Sequence, residues 1–244
     1  MCSVIPLILV VVAPQSLNFN FFVSFLMLWP ALVKEEFSVI DLPELLRSIK
    51  IVPVLTIESL DDAIPICQAL ARGGINAAEI TLRTPVALEA MTLVKEAMPD
   101  FIVGAGTIKT PKDIEALAKI GVAFGVSPGF TKTLSNCAEE NELLFLPGVA
   151  TPSELLTGME TGRTCFKLFP AEAVGGIPLL KSLAAPFEGI VFCPTGGVSP
   201  ENYQTYLNLP NVVCVGGSWM VSPALIAEKK WDKITQLTKT ALEM

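Results

Sequence analysis

The feature that most constrains the fold is a strict alternation of short apolar runs with segments of helical periodicity, which continues from residue 39 to residue 244. Such alternation predicts βα units and a parallel sheet, and eight units predict a closed barrel. The expected strands are Ile51–Ile57, Ala77–Leu82, Phe101–Thr107, Phe124–Pro128, Leu144–Val149, Thr164–Phe169, Ile190–Thr195 and Val212–Ser218. We therefore expect residues 39–244 to form a single α/β domain, a compact (β/α)8 TIM barrel.

The segments between these strands carry recognisable helix starts. Five of them open on a hydroxyl residue followed by proline, a pattern that places an N-cap before proline at the first helical position. These starts are Thr84-Pro85, Thr110-Pro111, Thr151-Pro152, Ser199-Pro200 and Ser222-Pro223. Gly73-Gly74, Gly121 and Gly162 fit helix ends, and the last helix is expected over Pro223–Leu242.

A short additional N-terminal helix, Asp41–Lys50, is expected before the first strand, where it would close the bottom of the barrel. The alternative architecture is an open, doubly wound parallel sheet. No GxGxxG motif follows the first strand, and this disfavours the open sheet.

Residues 1–38 form an apolar extension ahead of the barrel, and Lys34 is the first charged side chain of the chain. A secretory signal needs a basic first region, which is lacking here. The apolar runs are interrupted by prolines and polar residues, and each is shorter than the roughly 18 residues of a membrane span. Three interpretations stay open: a reading frame extended upstream of a true start near Met27, a weak membrane anchor, or an arm packed on the barrel.

The charge balance and the missing residue types exclude several classes of function. The chain has a net charge of -7 without a basic run, so we expect no nucleic-acid partner. It contains no histidine, so imidazole acid–base chemistry is excluded and a catalytic zinc site is disfavoured. The six cysteines form no CxxC pair, which indicates a reducing, cytoplasmic location without disulfides.

Lys167 is the only lysine in the interior of a predicted strand. The period of two places Cys165, Lys167 and Phe169 on one face, and leaves Phe166 and Leu168 for the helix layer. An ammonium without a partner would be costly inside the barrel, so this position favours a neutral amine that can attack a carbonyl group. The alternative is a structural lysine paired with a carboxylate.

Polar residues also alternate along the second predicted strand. Glu79, Thr81 and Arg83 share one face, and burying them would be costly without a function. Glu79 is a candidate proton shuttle. Arg83, at the strand end, is suited to grip a substrate carboxylate with two hydrogen bonds. The alternative is a buried Glu79–Arg83 pair with no chemistry.

Small residues collect at the ends of other strands, where the active sites of such barrels lie. The seventh and eighth strands end in Pro194-Thr-Gly-Gly-Val198 and Val215-Gly-Gly-Ser-Trp219, the place where many barrels bind phosphate through backbone amides. The alternative is a pair of tight turns. Thr107, after the third strand, is a weaker candidate as a hydrogen-bond donor to substrate.

Together these stretches resemble the 2-keto-3-deoxy-6-phosphogluconate (KDPG) aldolase family over roughly residues 43–240. The resemblance is carried by AAEITLRT, VGAGTI, VSPGFT, LPGVATPSE, FKLFPAE, FCPTGGVSPENY and VGGSWMV. It implies a class I aldolase, a lyase of the Entner-Doudoroff pathway that cleaves the phosphorylated sugar acid to pyruvate and glyceraldehyde 3-phosphate, with a side activity on 4-hydroxy-2-oxoglutarate. It also implies a homotrimer with no metal and no cofactor.

The resemblance also assigns roles residue by residue. It implies Lys167 as the Schiff-base lysine and Glu79 as the acid–base residue. It implies that Arg83 binds the substrate carboxylate. Further substrate contacts are implied for Thr107, Pro128, Phe169 and Thr195. The phosphate site is implied at Gly196, Gly197, Gly216, Gly217 and Ser218.

Three other functions stay open. One is a related aldolase acting mainly on 4-hydroxy-2-oxoglutarate or on the galactonate isomer. Another is a phosphosugar isomerase or epimerase on the same barrel, although such enzymes commonly need histidine or a metal. The last is a non-catalytic binder tethered to a membrane through residues 1–38.

Overall fold

The centre of the protein is a set of strands that all run parallel to their neighbours, as seen in a computed structural model that describes residues 41–243. The strands are β1 Ile51–Leu55, β2 Ala77–Thr81, β3 Ile102–Gly106, β4 Phe124–Val126, β5 Phe145–Leu146, β6 Gly148–Val149, β7 Cys165–Leu168, β8 Val191–Pro194 and β9 Val215–Gly217. They are shorter than the predicted apolar runs, but each lies inside one of them.

The strands close into a ring. One sheet has the order β5-β4-β3-β2-β1-β9, and a second has the order β6-β7-β8. Isolated bridges pair Phe192 with Val212 and Thr195 with Gly216, so β8 is joined to the β9 segment. These pairings, with helices between successive strands, confirm the predicted TIM barrel.

The fifth predicted strand, Leu144–Val149, is divided in the structure. Pro147 lies between β5 and β6, and proline has no amide hydrogen for the ladder. Its carbonyl still takes part, because it accepts a hydrogen bond from the Lys167 amide at 2.9 Å. β5 and β6 therefore occupy one strand position of the barrel.

Ten α-helices surround or close the barrel within residues 41–243. They are α1 Leu42–Ile49, α2 Leu60–Arg72, α3 Ala87–Ala97, α4 Pro111–Ile120, α5 Lys132–Glu140, α6 Pro152–Met159, α7 Gly176–Ala184, α8 Tyr203–Leu207, α9 Pro223–Ala227 and α10 Trp231–Glu243. Short 3-10 turns cover Glu172–Val174 and Trp219–Val221.

Three of the five predicted helix starts are confirmed. Thr110 and Thr151 form capping boxes at α4 and α6, and Ser222 caps α9. The starts at Thr84-Pro85 and Ser199-Pro200 are wrong, because other groups engage both hydroxyls. Thr84 donates to the Ile57 carbonyl at 2.6 Å, and Ser199 donates to the Glu201 carboxylate at 2.5 Å.

The helix predicted over Pro223–Leu242 is also corrected. It breaks into α9 and α10, with Lys229 in the left-handed region at φ 52°. At the end of α4 the prediction holds, because Gly121 adopts φ 72° and its amide donates to the Leu117 and Ala118 carbonyls.

The core has an inner and an outer layer. Ile80, Phe166 and Leu168 pack in the outer layer, between strands and helices. The inner layer fills the barrel with Val52, Phe124, Val126, Leu146, Cys165, Cys193, Val213 and Cys214. Leu42 and Leu46 of α1 join this inner cluster, so α1 closes the bottom of the barrel as predicted.

The five cysteines of the described chain are free and buried: Cys67, Cys137, Cys165, Cys193 and Cys214. Within residues 41–243, no helix has both the length and the apolar composition needed to traverse a bilayer. The interpretations offered for residues 1–38 lie outside the described residues.

Candidate active site

Lys167 lies inside the barrel, on β7. Its side chain is buried, as predicted from the alternation, while Phe166 and Leu168 face the helices. Phe169 follows the end of the strand and is half-buried. The Lys167 ammonium lies 5.3 Å from the centroid of the Phe169 ring, close enough for the ring face to attract the charge.

The Lys167 amine is paired with the Glu79 carboxylate. Nζ lies 3.3 Å from Oε1 and 3.5 Å from Oε2, and the two side chains are only 7% and 5% exposed. The sequence favoured a neutral amine at this position and left a lysine paired with a carboxylate as the alternative; the structure shows the pairing. The pair offsets the desolvation of both charges, and it places a proton acceptor next to the amine.

Glu79 takes this position because β3 offers no side chain opposite it. Gly106 of β3 pairs with Thr81 of β2. A Cβ at Gly106 would overlap Glu79 Oε1 and lie 2.8 Å from both Cδ and Cγ. Gly106 was not among the residues predicted for the site. The sequence signal for Gly106 is the alternation of Gly104 and Gly106 in VGAGTI, which leaves the inward face of this strand without side chains.

Thr81, the second polar residue on the inward face of β2, has a structural role. It is fully buried. Its hydroxyl donates to the Leu55 carbonyl at 2.9 Å and lies 3.1 Å from the Thr56 hydroxyl. These contacts tie β2 to the end of β1, beside the Lys167–Glu79 pair.

Arg83 lies outside the strand. β2 ends at Thr81, and Arg83 is exposed in the following turn, so the prediction that it shares the strand face of Glu79 is wrong. The predicted alternative of a buried Glu79–Arg83 pair is wrong as well, since the partner of Glu79 is Lys167. Within residues 41–243, the Arg83 guanidinium forms no ion pair.

Thr107 and Pro128 follow the carboxyl ends of β3 and β4. Thr107 is half-buried at φ 63°, a strained conformation for a β-branched residue and one that is concentrated at functional sites. Pro128 is exposed. Its carbonyl packs so closely on Gly148 that a Cβ there would lie 2.5 Å from the Pro128 carbonyl carbon.

The two glycine pairs lie side by side at the same end of the barrel. Thr195 is buried and bridges to Gly216, which brings the ends of β8 and β9 together. Gly196 and Gly197 adopt φ 97° and 81°, a region in which other residues are strained. Ser218 is exposed directly after β9.

Close packing excludes side chains from the second pair. A Cβ at Gly216 would lie 3.0 Å from the Thr195 methyl group, and one at Gly217 would overlap the Trp219 ring. Gly216 and Gly217 are the last residues of β9, and the bridge from Thr195 to Gly216 places them beside the end of β8, as predicted for glycine pairs at the same end of adjacent strands.

A separate cavity of about 610 Å³ lies at the opposite, amino-terminal end of the strands. Arg47, Lys50, Ile51, Tyr203 and Leu242 are among its lining residues. It contains neither Lys167 nor Glu79 and none of the glycine loops. The candidate chemistry therefore lies at the carboxyl end, where barrels of this kind carry their active sites.

Comparisons with known proteins agree with this geometry. The model of the KDPG and KHG aldolase family matches residues 42–237. The KHG/KDPG aldolase of Escherichia coli (strain K12) is 42% identical over 193 residues, which are 79% of this chain and 91% of that protein.

Solved structures show the same fold. A KDPG aldolase from Legionella pneumophila, with pyruvate captured as a covalent carbinolamine, has TM-score 0.80 and 43% identity and covers 82% of this chain and 97% of that chain. The KDPG aldolase of Zymomonas mobilis with 3-phosphoglycerate has TM-score 0.77 and 42% identity, covering 83% and 95%. The chain therefore belongs to the KDPG and KHG aldolase family and is a class I aldolase, a carbon–carbon lyase.

Proposed function

We propose that the protein cleaves 2-keto-3-deoxy-6-phosphogluconate to pyruvate and glyceraldehyde 3-phosphate through a Schiff base on Lys167. The observation that carries this proposal is the buried Lys167 amine, 3.3 Å from the Glu79 carboxylate inside the barrel. The covalent pyruvate adduct of the Legionella relative and the names of the other relatives support it.

The reaction begins with a proton transfer. Glu79 takes a proton from the Lys167 ammonium, and the neutral amine attacks the C2 keto carbon to form a carbinolamine. The carboxyl group of Glu79 then protonates the leaving hydroxyl, water departs and an iminium remains. This step returns Glu79 to its carboxylate form.

Cleavage uses the same two residues. Glu79, directly or through a water molecule, takes the proton of the C4 hydroxyl. The C3–C4 bond breaks, its electrons pass to the iminium to give an enamine, and the aldehyde leaves. Glu79 then returns the proton to C3, and addition of water to the iminium releases pyruvate and the free lysine.

The residues around the pair hold the two ends of the substrate. Arg83 grips the carboxylate, while Thr107, Pro128, Phe169 and Thr195 line the pocket of the keto acid portion. The phosphate binds to Gly196, Gly197, Gly216, Gly217 and Ser218. The exposure of Arg83, and the position of the Gly196–Gly197 loop beside the end of β9, support these roles. Fixing both ends lowers the entropic part of the barrier.

Reductive trapping tests the central residue. Borohydride treatment in the presence of pyruvate should add one pyruvate-derived group, and peptide mass mapping should place it on Lys167. Lys167→Ala should take no label and lose turnover, whereas Lys181→Ala, which removes an exposed lysine on α7, should be labelled like the wild type. Labelling of another lysine, or turnover in Lys167→Ala, would refute the assignment.

A second candidate function is cleavage of 4-hydroxy-2-oxoglutarate as the main activity. The combined name of the Escherichia coli relative favours overlap between the two activities. The adjacent glycine loops and Ser218 favour the phosphorylated substrate. Comparing kcat/KM for the two substrates distinguishes the two candidate functions. A higher kcat/KM for the unphosphorylated acid would make its cleavage the main activity.

The assembly and location belong to the same proposal. The family resemblance supports a homotrimer, which sedimentation of the purified chain would test. Free, buried thiols support a reducing compartment such as the cytoplasm. We place the barrel domain at residues 39–244 and treat residues 1–38 as an extension to it.

A further inference from the structure

Glu172 and Tyr206 lie directly behind the first glycine loop and take no part in the reaction described above. Glu172 begins the 3-10 turn after β7, and Tyr206 is a fully buried residue of α8. The Tyr206 hydroxyl donates a hydrogen bond to Glu172 Oε1. A Cβ at Gly176 would lie 2.7 Å from this hydroxyl and 3.1 Å from Oε1, so the hydrogen-bonded atoms pack against the Gly176 backbone, although Glu172 as a whole residue is exposed.

The backbone around Glu172 holds the loop in place. The Glu172 amide donates to the Gly196 carbonyl at 3.1 Å, and the Ala171 amide donates to the Thr195 carbonyl at 2.8 Å. On the other side, Asn202 Nδ2 donates to the Gly197 carbonyl at 3.1 Å. Three hydrogen bonds therefore fix the carbonyl groups of successive residues, which sets the direction of the intervening peptide units.

The Glu172 side chain also packs against the loop. A Cβ at Gly197 would lie 2.5 Å from Glu172 Cγ and 2.7 Å from its Cβ. A carboxylate so close to a phosphate-binding loop would repel the phosphate if it turned toward the loop. The hydrogen bond from Tyr206 holds Oε1 on the side of α8 instead. Burial, together with the neighbouring Glu172, raises the pKa of the Tyr206 hydroxyl, so it keeps the proton it donates.

We propose that the Glu172–Tyr206 pair is a positioning device that sets the affinity of the loop at Gly196 and Gly197 for the substrate phosphate. This inference rests on the proposed function. Neither residue touches the reacting atoms. The device acts by fixing the loop and by directing a negative charge away from the phosphate.

The experiment compares two tyrosines of the same helix. Tyr206→Phe removes only the hydroxyl that engages Glu172. Tyr203→Phe removes the hydroxyl of another buried tyrosine, which donates to the Ala241 carbonyl at 3.2 Å and does not contact Glu172. Kinetic constants are measured with the phosphorylated sugar acid and with 4-hydroxy-2-oxoglutarate, and inhibition by inorganic phosphate is measured alongside.

Tyr206→Phe should raise KM for the phosphorylated substrate and the inhibition constant of phosphate by roughly 10-fold, the usual effect of one hydrogen bond to a charged group. KM for 4-hydroxy-2-oxoglutarate should change far less. Tyr203→Phe should change neither KM nor the inhibition constant of phosphate. In Glu172→Gln, which removes the charge, the further change Tyr206→Phe should have a smaller effect than in the wild type.

An equal change with both substrates, or no change with either, would overturn the proposal. If Tyr206→Phe does not fold, Glu172→Gln alone tests the proposal. Phosphate should then inhibit this variant as strongly as the wild type or more strongly. An equal increase in KM for both substrates would contradict the proposal. Borohydride labelling with pyruvate keeps the two hypotheses apart. A labelled wild type with a null result for Tyr206 refutes only the pair, whereas an unlabelled wild type refutes the proposed function.

Discussion

Replacing Gly106 by alanine tests whether the reaction depends on the position of the Glu79 carboxylate. A methyl group at residue 106 would overlap Oε1 and lie 2.8 Å from Cδ and Cγ, about 0.6 Å short of an ordinary 3.4 Å contact. The carboxylate must retreat by at least this much. A shift of this size moves the carboxylate out of the position that now places it 3.3 Å from Lys167 Nζ.

The expected loss follows from this displacement. A misplacement of about 1 Å lowers rates by roughly 10²-fold, and general acid–base catalysis contributes roughly 10²–10⁴-fold. Gly106→Ala should therefore lower kcat by about 10²-fold when pyruvate release is measured. Overpacking should also reduce the free energy of unfolding by about 1–3 kcal/mol.

Gly104→Ala is the matched control. It adds a methyl group to the same face of the same strand, but that group meets the Phe124 ring, 2.6 Å from Cε1, rather than Glu79. The control should lose stability by a similar amount and keep a kcat within a few-fold of the wild type per folded molecule. Equal turnover by the two variants would refute the reasoning. In a Glu79→Asp background, where the carboxylate is withdrawn by one methylene, Gly106→Ala should cost less.

Two further predictions concern substrate binding and pH. Arg83→Ala should raise KM for keto acid substrates by roughly 10–100-fold with a smaller change in kcat, since a charge-assisted carboxylate contact is lost; an unchanged KM would count against the clamp. Burial raises the pKa of the Cys67 thiol to about 12, so the folded state retains a proton that the unfolded thiol loses above about pH 8.5. The free energy of unfolding should therefore fall by about 1.4 kcal/mol per pH unit from this group as pH rises. Urea unfolding at about pH 8 and about pH 10 measures the fall, and Cys67→Ala should reduce it by this group's share, because burial also raises the pKa of the Cys165 and Cys214 thiols.

The sequence predicted the barrel and the direction of Lys167 because both depend on local patterns. Apolar runs mark strands, and the period of two within FKLFPAE assigns Lys167 to the inner face. The same period placed Glu79 correctly. These features require no knowledge of which strands are neighbours, so a single sequence suffices for them.

The remaining features depend on contacts between distant residues. The Lys167–Glu79 pair joins residues 88 positions apart, and no local pattern shows that the carboxylate reaches the amine. Arg83 was assigned to a strand face, but β2 ends at Thr81, and the Arg83 amide donates back to the Thr81 carbonyl at 2.8 Å in a tight turn. Thr84 was predicted to cap a helix, but its hydroxyl donates a hydrogen bond to the Ile57 carbonyl. For the Lys167 amine and the Thr84 hydroxyl, the partner lies in another βα unit.

The join between β8 and β9 has a mechanical consequence. Two isolated bridges, at Phe192 and Thr195, connect these neighbours in place of a continuous ladder. The loops that leave the two strands are the ones assigned to the phosphate. A ligand that binds at the ends of both strands connects β8 to β9. Its binding free energy therefore stabilises the contact between these two strands. The contact between β8 and β9 should therefore open less often in the phosphate-bound protein than in the free protein.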